Sequence, residues 1–453
     1  MLPALPAIPP VSPKIRLAYV LRHFQLAFPA APTHLIGYAG NQLPVAVAEG
    51  AGQFFELRQP YPPAPNYRDY QGRSIPFFFD AAPEQPLLEL LPNNRVLIHA
   101  DIIAAAFYLL SGWQEFFSDE RDQHGRFPYS ASVQHRYGFV AVPVVNYYFD
   151  VLKTAVEHVS GQVLVPRRWA TEAPFAAFIT HDIDNLRSAW KAPAKAALQR
   201  RDWLGFGRQI WQHVTKPDAW NNLELVHKTV ASYGAKSTFF FLPEHRSAAN
   251  GTPNADYAVE KAWSRIAPAI GDAEVGLHGS IGRATHGGNL KREEHRLQRC
   301  TGHDVKGSRF HYLSWEPRMT PILLDSLLFR YDTTLGFAEH FGFRNSYCLP
   351  FHLFDFEQGR PYRFLEIPLN VMDATLYHPH YLRLAPGEIL PALQPMFEEI
   401  ERFGGVCTVL WHNENFDPAN EHNGPQQFHA IMQYLRGRQV AFVNGLDICE
   451  MVS

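Results

Sequence analysis

The chain has 453 residues, of which 46% are hydrophobic and 19% are charged, as in folded globular proteins. A single hydrophobic core rarely extends over so long a chain, so we expect two domains. The formal net charge is only −3 and no block of clustered Lys and Arg stands out, which argues against a nucleic-acid partner.

We expect neither an export signal nor a membrane span. Residues 1–13 lack a basic start, and repeated Pro interrupts the apolar run that a signal peptide needs. The longest apolar stretch, Ile102–Leu110, is about half of the roughly 18 to 20 residues that cross a bilayer. Reduced thiols are expected for the four widely spaced cysteines, Cys300, Cys348, Cys407 and Cys449. Together these features predict a cytoplasmic protein.

Residues 1–165 are predicted to form an α+β domain of unknown role. Short strand-like pieces such as Arg95–His99 alternate there with Pro-rich loops. Asp101 can cap a helix over Ile102–Leu110, and Tyr147–Val159 has apolar residues near helical spacing. One loop carries a polar cluster that we interpret as a solvated turn rather than a binding site, namely Asp119, Asp122, His124 and Arg126.

A boundary is predicted at Val165–Pro174, where one apolar pattern stops and strand-helix alternation begins. Alternation of this length predicts an α/β fold with a parallel sheet, and seven or eight strands favour a distorted (β/α)7-8 barrel over residues 174–453. The predicted strands are Phe175–Thr180, Ser237–Leu242, Glu274–Leu277, Gly307–Leu313, Arg330–Leu335, Phe364–Leu369, Val406–Trp411 and Val440–Asn444.

Polar side chains gather where these predicted strands end. His181, Asp182 and Asp184 follow directly on the first strand. In a parallel barrel the carboxyl ends of the strands meet at one face, where catalytic groups collect. Comparable positions at other strands hold four further polar residues, His278, Arg309, His311 and His412. One such residue is weak evidence, but co-location at successive strand ends predicts a single site.

These motifs resemble those of the polysaccharide deacetylases, also called carbohydrate esterase family four, over about residues 174–450. The family's first motif, an aspartate pair that ends the first strand, is matched by Asp182 and Asp184 in the spaced Asp-x-Asp form. The resemblance implies that Asp182 is the general base and that Asp184 is a metal ligand. The family's second motif opens with a ligand His, which His278 matches in the run Gly-Leu-His-Gly-Ser.

Two further motifs complete the resemblance. The run Arg309 to Tyr312 is similar to the third motif, Arg-x-Pro-Tyr, and implies that Arg309 orients the base while the Tyr312 N–H helps to hold the oxyanion. The apolar strand that ends in His412 resembles the fifth motif and implies a general acid. Asp332 is matched to the fourth motif, whose Asp tunes that acid, although the usual Trp is absent; Asp373 follows another strand.

The third metal ligand is open, because the family's second His falls on Gly282 in this chain. His311, which replaces the family's Pro beside Arg309, is the first choice, and His286 on a Gly-rich loop is the second. If neither binds, the barrel would be a non-catalytic, glycan-binding relative.

The chemistry follows from the residue types. One carboxylate and two imidazoles leave open positions on a divalent ion, as in catalytic sites, and mixed nitrogen and oxygen ligands suit zinc best. Such an ion acidifies water enough for a carboxylate such as Asp182 to complete its deprotonation. The predicted function is therefore a metal-dependent removal of acetyl groups, preferably N-linked, from a sugar or polysaccharide precursor. A hydrolase of linear or cyclic amides is the alternative enzyme.

Overall fold

The computed structural model describes residues 5–6, 8–249, 251–420 and 424–452. Its first part contains five α-helices and six strands among the described residues, and the predicted helices and the strand at Arg95 are confirmed. In chain order these elements are α1 (Pro13–Ala27), β1 (Ile36–Tyr38), β2 (Val45–Val47), β3 (Asn66–Tyr70), β4 (Arg73–Phe77), β5 (Leu88–Leu91), β6 (Arg95–Ile98), α2 (Ile102–Leu110), α3 (Trp113–Phe117), α4 (Val133–Arg136) and α5 (Val144–Ser160).

The apolar run of α2 is a core helix rather than a surface one. Every residue of α2 is buried, and the Asp101 side chain accepts a hydrogen bond from the Ala104 N–H at 2.9 Å, as the sequence predicted. Beside it lies a small sheet in the order β1-β2-β6-β5, in which β5 alone runs antiparallel to its neighbour. Strands β3 and β4 form a separate antiparallel pair.

The second part alternates strands and helices, as predicted. Its elements are β7 (Ala176–Ile183), α6 (Lys191–Gln199), α7 (Trp203–Thr215), α8 (Leu223–Ala231), β8 (Ser237–Phe241), α9 (Val259–Ile270), β9 (Glu274–Gly279), α10 (Gly287–Thr301), β10 (Gly307–Phe310), α11 (Thr320–Ser326), β11 (Tyr331–Asp332), β12 (Phe354–Asp355), β13 (Arg360–Pro361), β14 (Leu365–Glu366), β15 (Val371–Met372), α12 (Asp373–Tyr377), α13 (Pro386–Arg402), β16 (Val406–Leu410), α14 (Pro425–Arg436), β17 (Ala441–Phe442) and α15 (Gly445–Val452).

Nine of these strands form one curled sheet in the order β14-β11-β10-β9-β8-β7-β16-β15, with β17 paired to β7. Every pairing in this sheet is parallel. All eight residues of β7 are buried, because this strand lies in the middle of the sheet. The predicted fold class, a distorted (β/α) barrel with an additional N-terminal α+β part, is confirmed.

The predicted strand Gly307–Leu313 is too long. Strand β10 ends at Phe310, and a 3-10 turn begins at His311, because Tyr312 and Leu313 have left-handed backbone angles with φ of 58° and 53°. Non-glycine residues in this region are strained by about 1 kcal/mol or more each, and such strain is concentrated at functional sites. The chain therefore turns sharply just after His311.

The two parts of the chain are joined through buried contacts. The Arg344 guanidinium donates two hydrogen bonds of 2.7 Å to the Glu115 carboxylate of α3, and both side chains are buried. One apolar cluster also continues from the N-terminal helices into the barrel. The division at Val165–Pro174 therefore stays a prediction.

The apolar residues bear on the expectation of no membrane span and on the barrel core. Within the described residues, no helix combines the length and the apolar character that crossing a bilayer would require. The aromatic side chains at strand ends are core residues, because each is at most 2% exposed; they are Trp315, Tyr347, Phe351 and Trp411.

The buried histidine of α1, His23, makes the stability of the fold depend on pH. The His23 ring contacts the Tyr19 carbonyl oxygen through Nδ1 at 2.8 Å and accepts the His352 N–H through Nε2 at 3.0 Å, so the ring is neutral. Burial lowers the pKa of His23 to about 3. The unfolded chain, with a pKa of about 6.5, therefore takes up a proton that the folded chain excludes, and stability falls as the pH drops below that value.

We expect His23→Gln to remove this pH dependence. Between pH 7 and pH 5 the wild type should lose about 2 kcal/mol more of its free energy of unfolding than the variant, since glutamine does not titrate. Urea unfolding at the two pH values measures the difference. Equal losses of unfolding free energy in both proteins would contradict the assignment of His23 as the titrating group, even if the variant is less stable than the wild type at pH 7.

Candidate active site and metal centre

The predicted site residues lie at the carboxyl ends of neighbouring strands. Asp182 is the penultimate residue of β7, and Asp184 follows the strand directly. His278 on β9 lies opposite Arg309 on β10 in the parallel register. His412 follows β16, which pairs with β7 on its other side. The strand order therefore brings residues from four separate segments to one face of the barrel, where the carboxyl ends of the strands meet; this face is called the mouth below.

Three of these side chains form a group that could hold a metal ion. One ligand atom each from Asp184, His278 and His311 lies within 4.8 Å of the others. Asp184 Oδ1 is 3.4 Å from His278 Nε2, and Asp184 Oδ2 is 3.3 Å from His311 Nε2. His278 and His311 are buried, and Asp184 is partly buried. This is the first-choice set of the sequence analysis.

The donor chemistry of this group fits a cation. His278 Nδ1 donates to the Arg309 carbonyl oxygen at 2.9 Å, so its Nε2 presents a lone pair to the Asp184 carboxylate. A lone pair facing an anion is unfavourable unless a positive charge lies between them, either a proton on the imidazole or a bound cation. Asp184 Oδ1 and His311 Nδ1 are also buried without a hydrogen-bond partner among the described residues. Burial alone raises the pKa of Asp184, but the imidazoles of His311 and His278 hold it well below its usual range.

The second-choice ligand, His286, is not part of this group. It is the N-cap residue of α10, and its ring is exposed. The ring Nδ1 lies 2.9 Å from Thr285 Oγ1 and 3.1 Å from the Gly282 carbonyl oxygen, within its own loop. Gly282 has a left-handed backbone with φ of 78°, where a side chain would be strained. The position that matches the family's second histidine therefore has a backbone that disfavours any side chain.

Asp182 forms a buried ion pair beside the metal group. Arg309 Nη1 donates to Asp182 Oδ1 at 3.0 Å and to Thr180 Oγ1 at 2.8 Å. The same guanidinium donates from Nε to the Thr333 carbonyl oxygen and lies over the Phe240 ring, 4.7 Å from its centroid. Asp182 Oδ2 is 3.7 Å from His278 Nε2. Arg309 thus fixes the carboxylate next to the group that could bind a cation.

His412 lies on the other side of the group and has its own carboxylate partner. Its Nε2 is 3.7 Å from Asp184 Oδ2, and its Nδ1 is 2.7 Å from Asp373 Oδ1. Burial disfavours the imidazolium, but the Asp373 carboxylate offsets it and raises the pKa of His412 well above its ordinary value. Asn415 Nδ2 donates to Asp373 Oδ2 at 2.5 Å and holds it in place. The pair is suited to keep a proton ready for donation.

Asp373, rather than Asp332, is the residue that accompanies His412. Asp332 is buried and accepts hydrogen bonds from Ser308 Oγ at 2.6 Å and from the Thr334 N–H at 2.8 Å. Asp332 therefore does not take the role beside His412 that the match to the family's fourth motif implied. The sequence signal for Asp373 is its place directly after a predicted strand end, a position that by itself assigns no role.

Glu414 is a site residue that the sequence did not suggest. Burial raises the pKa of Glu414 to about 7, and Asn185 Nδ2 donates to its Oε1 at 2.5 Å. Asn185 follows Asp184, and Glu414 is two residues after His412. The charges of Asp184 and Asp373 also raise the pKa of Glu414. The acidic side of the site is thus more extensive than the motifs predicted.

The polar loop at residues 119–126 is only partly solvated, since Asp119 is exposed while Asp122 and His124 are partly buried. Arg126 is buried and donates from Nη1 to the Tyr312 carbonyl oxygen at 2.9 Å, while its Nε donates to Asp122 at 2.7 Å. The His124 ring stacks on the Tyr312 ring with a centroid distance of 4.8 Å. The N-terminal part therefore packs on the left-handed turn that follows His311.

For the deacetylase activity that the sequence predicts, Arg126→Met should lower turnover about ten- to a hundredfold, because the Tyr312 turn would lose the group that fixes its carbonyl. Metal content and KM should stay near the wild-type values, and Arg126→Lys should restore part of the turnover. Arg121→Met is the matched control: Arg121 lies in the same loop and pairs with Glu316. Equal losses in the two methionine variants would point to general disorder of the loop instead.

Comparison with known proteins gives a family match for the N-terminal part. Residues 19–160 match a family of unknown function, DUF7033. No curated protein matches the chain.

Several solved structures are similar to about three fifths of the chain. A protein from Mycobacterium smegmatis assigned as a polysaccharide deacetylase is 17% identical, with a TM-score of 0.41 over 64% of this chain and 93% of that one. The allantoinase PuuE is 13% identical, with a TM-score of 0.40 over 62% and 91%. The catalytic domain of a peptidoglycan N-acetylglucosamine deacetylase from Eubacterium rectale is 12% identical, with a TM-score of 0.30 over 59% and 87%.

Proposed function

We propose that residues 174–453 are a metal-dependent hydrolase that removes acetyl groups, preferably N-linked ones, from a sugar or polysaccharide. The observation that carries this proposal is the convergence of Asp184, His278 and His311 beside the buried Asp182–Arg309 pair. One carboxylate and two imidazoles are a donor set typical of catalytic metal sites that keep open positions, and zinc suits these donors best.

The roles of the surrounding residues follow from their contacts. When bound, a divalent cation supplies positive charge that polarises the acetyl carbonyl and acidifies water. Asp182, held by Arg309, accepts a proton from the attacking water. His412, kept protonated by Asp373, donates a proton to the leaving nitrogen as its bond to the acetyl carbon breaks. The products are acetate and a free amine.

The N-terminal part contributes to the same site in this proposal. Residues 119–126 form part of its rim, because Arg126 and His124 both contact Tyr312. The backbone N–H of Tyr312 is the proposed partner for the oxyanion, so a loop that fixes this turn also supports the charge that develops during the reaction. We keep 1–165 and 174–453 as the proposed domain bounds.

Elemental analysis combined with acetate release tests the proposal. We expect about one equivalent of zinc per chain and acetate release from N-acetylglucosamine oligomers, which stops on chelation and returns when zinc is added. O-acetylated xylan and allantoin are the comparison substrates. Turnover of allantoin without acetate release would favour an amide hydrolase, and metal binding without any turnover would indicate a glycan-binding module.

A further inference from the structure

The connection between β7 and α8 carries an apolar surface that nothing in the described structure covers. Helices α6 and α7 form a hairpin here, and no residue of α7 is buried. Four large apolar side chains of α7 are instead 60 to 89% exposed; they are Trp203, Leu204, Trp211 and Val214. Their spacing places them within one arc of the helix, so they form a single stripe. Isolated exposed apolar residues need no explanation, but such a stripe does.

The hairpin is also strongly basic. Residues 187–216 contain a single acidic residue, Asp202, and have a net charge of +6, whereas the whole chain has a net charge of −3. Their cations are Arg187, Lys191, Lys195, Arg200, Arg201, Arg208 and Lys216. None of these seven appears in an ion pair within the described structure. The charge is therefore available to an external partner.

The base of the hairpin is tied to the active-site mouth. Asn413, which follows His412, donates from Nδ2 to the carbonyl oxygens of Asn185 at 2.9 Å and Trp220 at 2.8 Å. Asn222 Nδ2 in turn donates to the Asn413 carbonyl oxygen at 2.9 Å. Both ends of the β7–α8 connection are thus fastened to one residue beside the proposed general acid. A surface that binds the hairpin would lie beside the mouth.

This combination of features fits a lipid bilayer. Amphipathic helices that lie in the membrane interface bury Trp and Leu among the headgroups while Lys and Arg contact anionic lipids. A second copy of this chain would bring another hairpin of charge +6 against the first, which is repulsive. Nucleic acid would use the cations and the Trp rings, but it would leave the aliphatic Leu204 and Val214 in water.

We propose that residues 187–216 dock the protein on membrane surfaces that carry anionic headgroups, with the mouth of the barrel beside the bilayer. Docking needs no turnover, so it stands or falls independently of the deacetylase proposal.

Vesicle sedimentation tests the docking of the full chain. We expect it to bind phosphatidylcholine vesicles containing phosphatidylglycerol at least about tenfold more tightly than vesicles of phosphatidylcholine alone. The double variant Trp203→Ser, Trp211→Ser should lose about tenfold or more in binding, and Arg200→Glu with Arg201→Glu should remove the preference for anionic vesicles. The matched control is Leu57→Ser with Leu90→Ser, which changes side chains that are 60% and 63% exposed elsewhere.

Three results would overturn the proposal. The first is no binding of the wild type to either vesicle, and the second is equal loss in the control and in the Trp203, Trp211 variant. The third is an oligomer of the wild type in sedimentation velocity that is absent in the Trp203, Trp211 variant, because the apolar stripe of α7 would then bind a second copy of the chain. Unchanged thermal unfolding of each variant shows that it folds.

Discussion

Asp182→Asn is expected to lower acetate release about a thousandfold at neutral pH. Asparagine has nearly the shape of aspartate, and its amide oxygen can still accept the hydrogen bond that Arg309 donates to Asp182 at 3.0 Å in the wild type. It cannot take a proton from water, so the variant loses the base while the mouth stays intact. The loss should appear in kcat, because the side chain acts in the transition state rather than in substrate binding. Initial rates at saturating substrate measure it.

Asp332→Asn is the matched control for this prediction. Asp332 is also a fully buried aspartate, on strand β11 beside β10, but its contacts are Ser308 and Thr334 rather than the proposed metal group. Burial raises the pKa of Asp332, so the neutral amide should replace it with little effect on the rate. Zinc content should match the wild type in both variants. Asp182→Asn with rates within tenfold of the control would end the proposed role of Asp182.

The longer barrel strands could be predicted because strands such as β7, β8 and β16 are buried on both faces. Continuous apolar runs such as Val406–Leu410 have no other stable place in a chain of this composition. The ends of these apolar runs predict where the strands end, and the strand ends in turn predict that Asp184, His278 and His311 lie close together. Parallel strands deliver their carboxyl ends to one face, so this part of the site is contained in the strand pattern.

The partner of His412 could not be predicted in this way. Asp373 lies 39 residues earlier in the chain, and the strand before it, β15, has only two residues. The sequence indicated a strand end before Asp373, but a strand this short does not show which other strand it pairs with. The contact depends on β15 pairing with β16, which aligns Met372 with Leu410 and so places the next residues side by side. Such pairings are decided by tertiary packing.

Two other features were not predicted from the sequence, namely the basic hairpin and the contact of the loop at residues 119–126 with Tyr312. The net charge of −3 averages over the basic hairpin, so the expectation of no clustered cations failed at residues 187–216. The loop at residues 119–126 was interpreted as solvated because polar turns usually are. Arg126 meets Tyr312 across 186 residues of sequence, and no local pattern records a contact of that range.

His311→Ala is expected to reduce bound zinc from about one equivalent to near zero at micromolar metal, and to abolish acetate release with it. His311 is the third donor beside Asp184, and its Nε2 lies 3.3 Å from Asp184 Oδ2. Two remaining donors, Asp184 and His278, are too few for a stable zinc site, whose catalytic form uses three protein ligands. Elemental analysis after dialysis measures the loss, and thermal unfolding checks that the variant folds.

His286→Ala is the matched control, because it removes the other histidine that the sequence offered for this role. His286 is exposed and its ring contacts only its own loop among the described residues, at Thr285 and Gly282. We expect full zinc content and unchanged acetate release in this variant. Zinc loss in His286→Ala with retention in His311→Ala would mean that the loop folds over the mouth when metal binds. Zinc loss in neither would mean that a pair of donors suffices, and His311 would then have no role as a ligand.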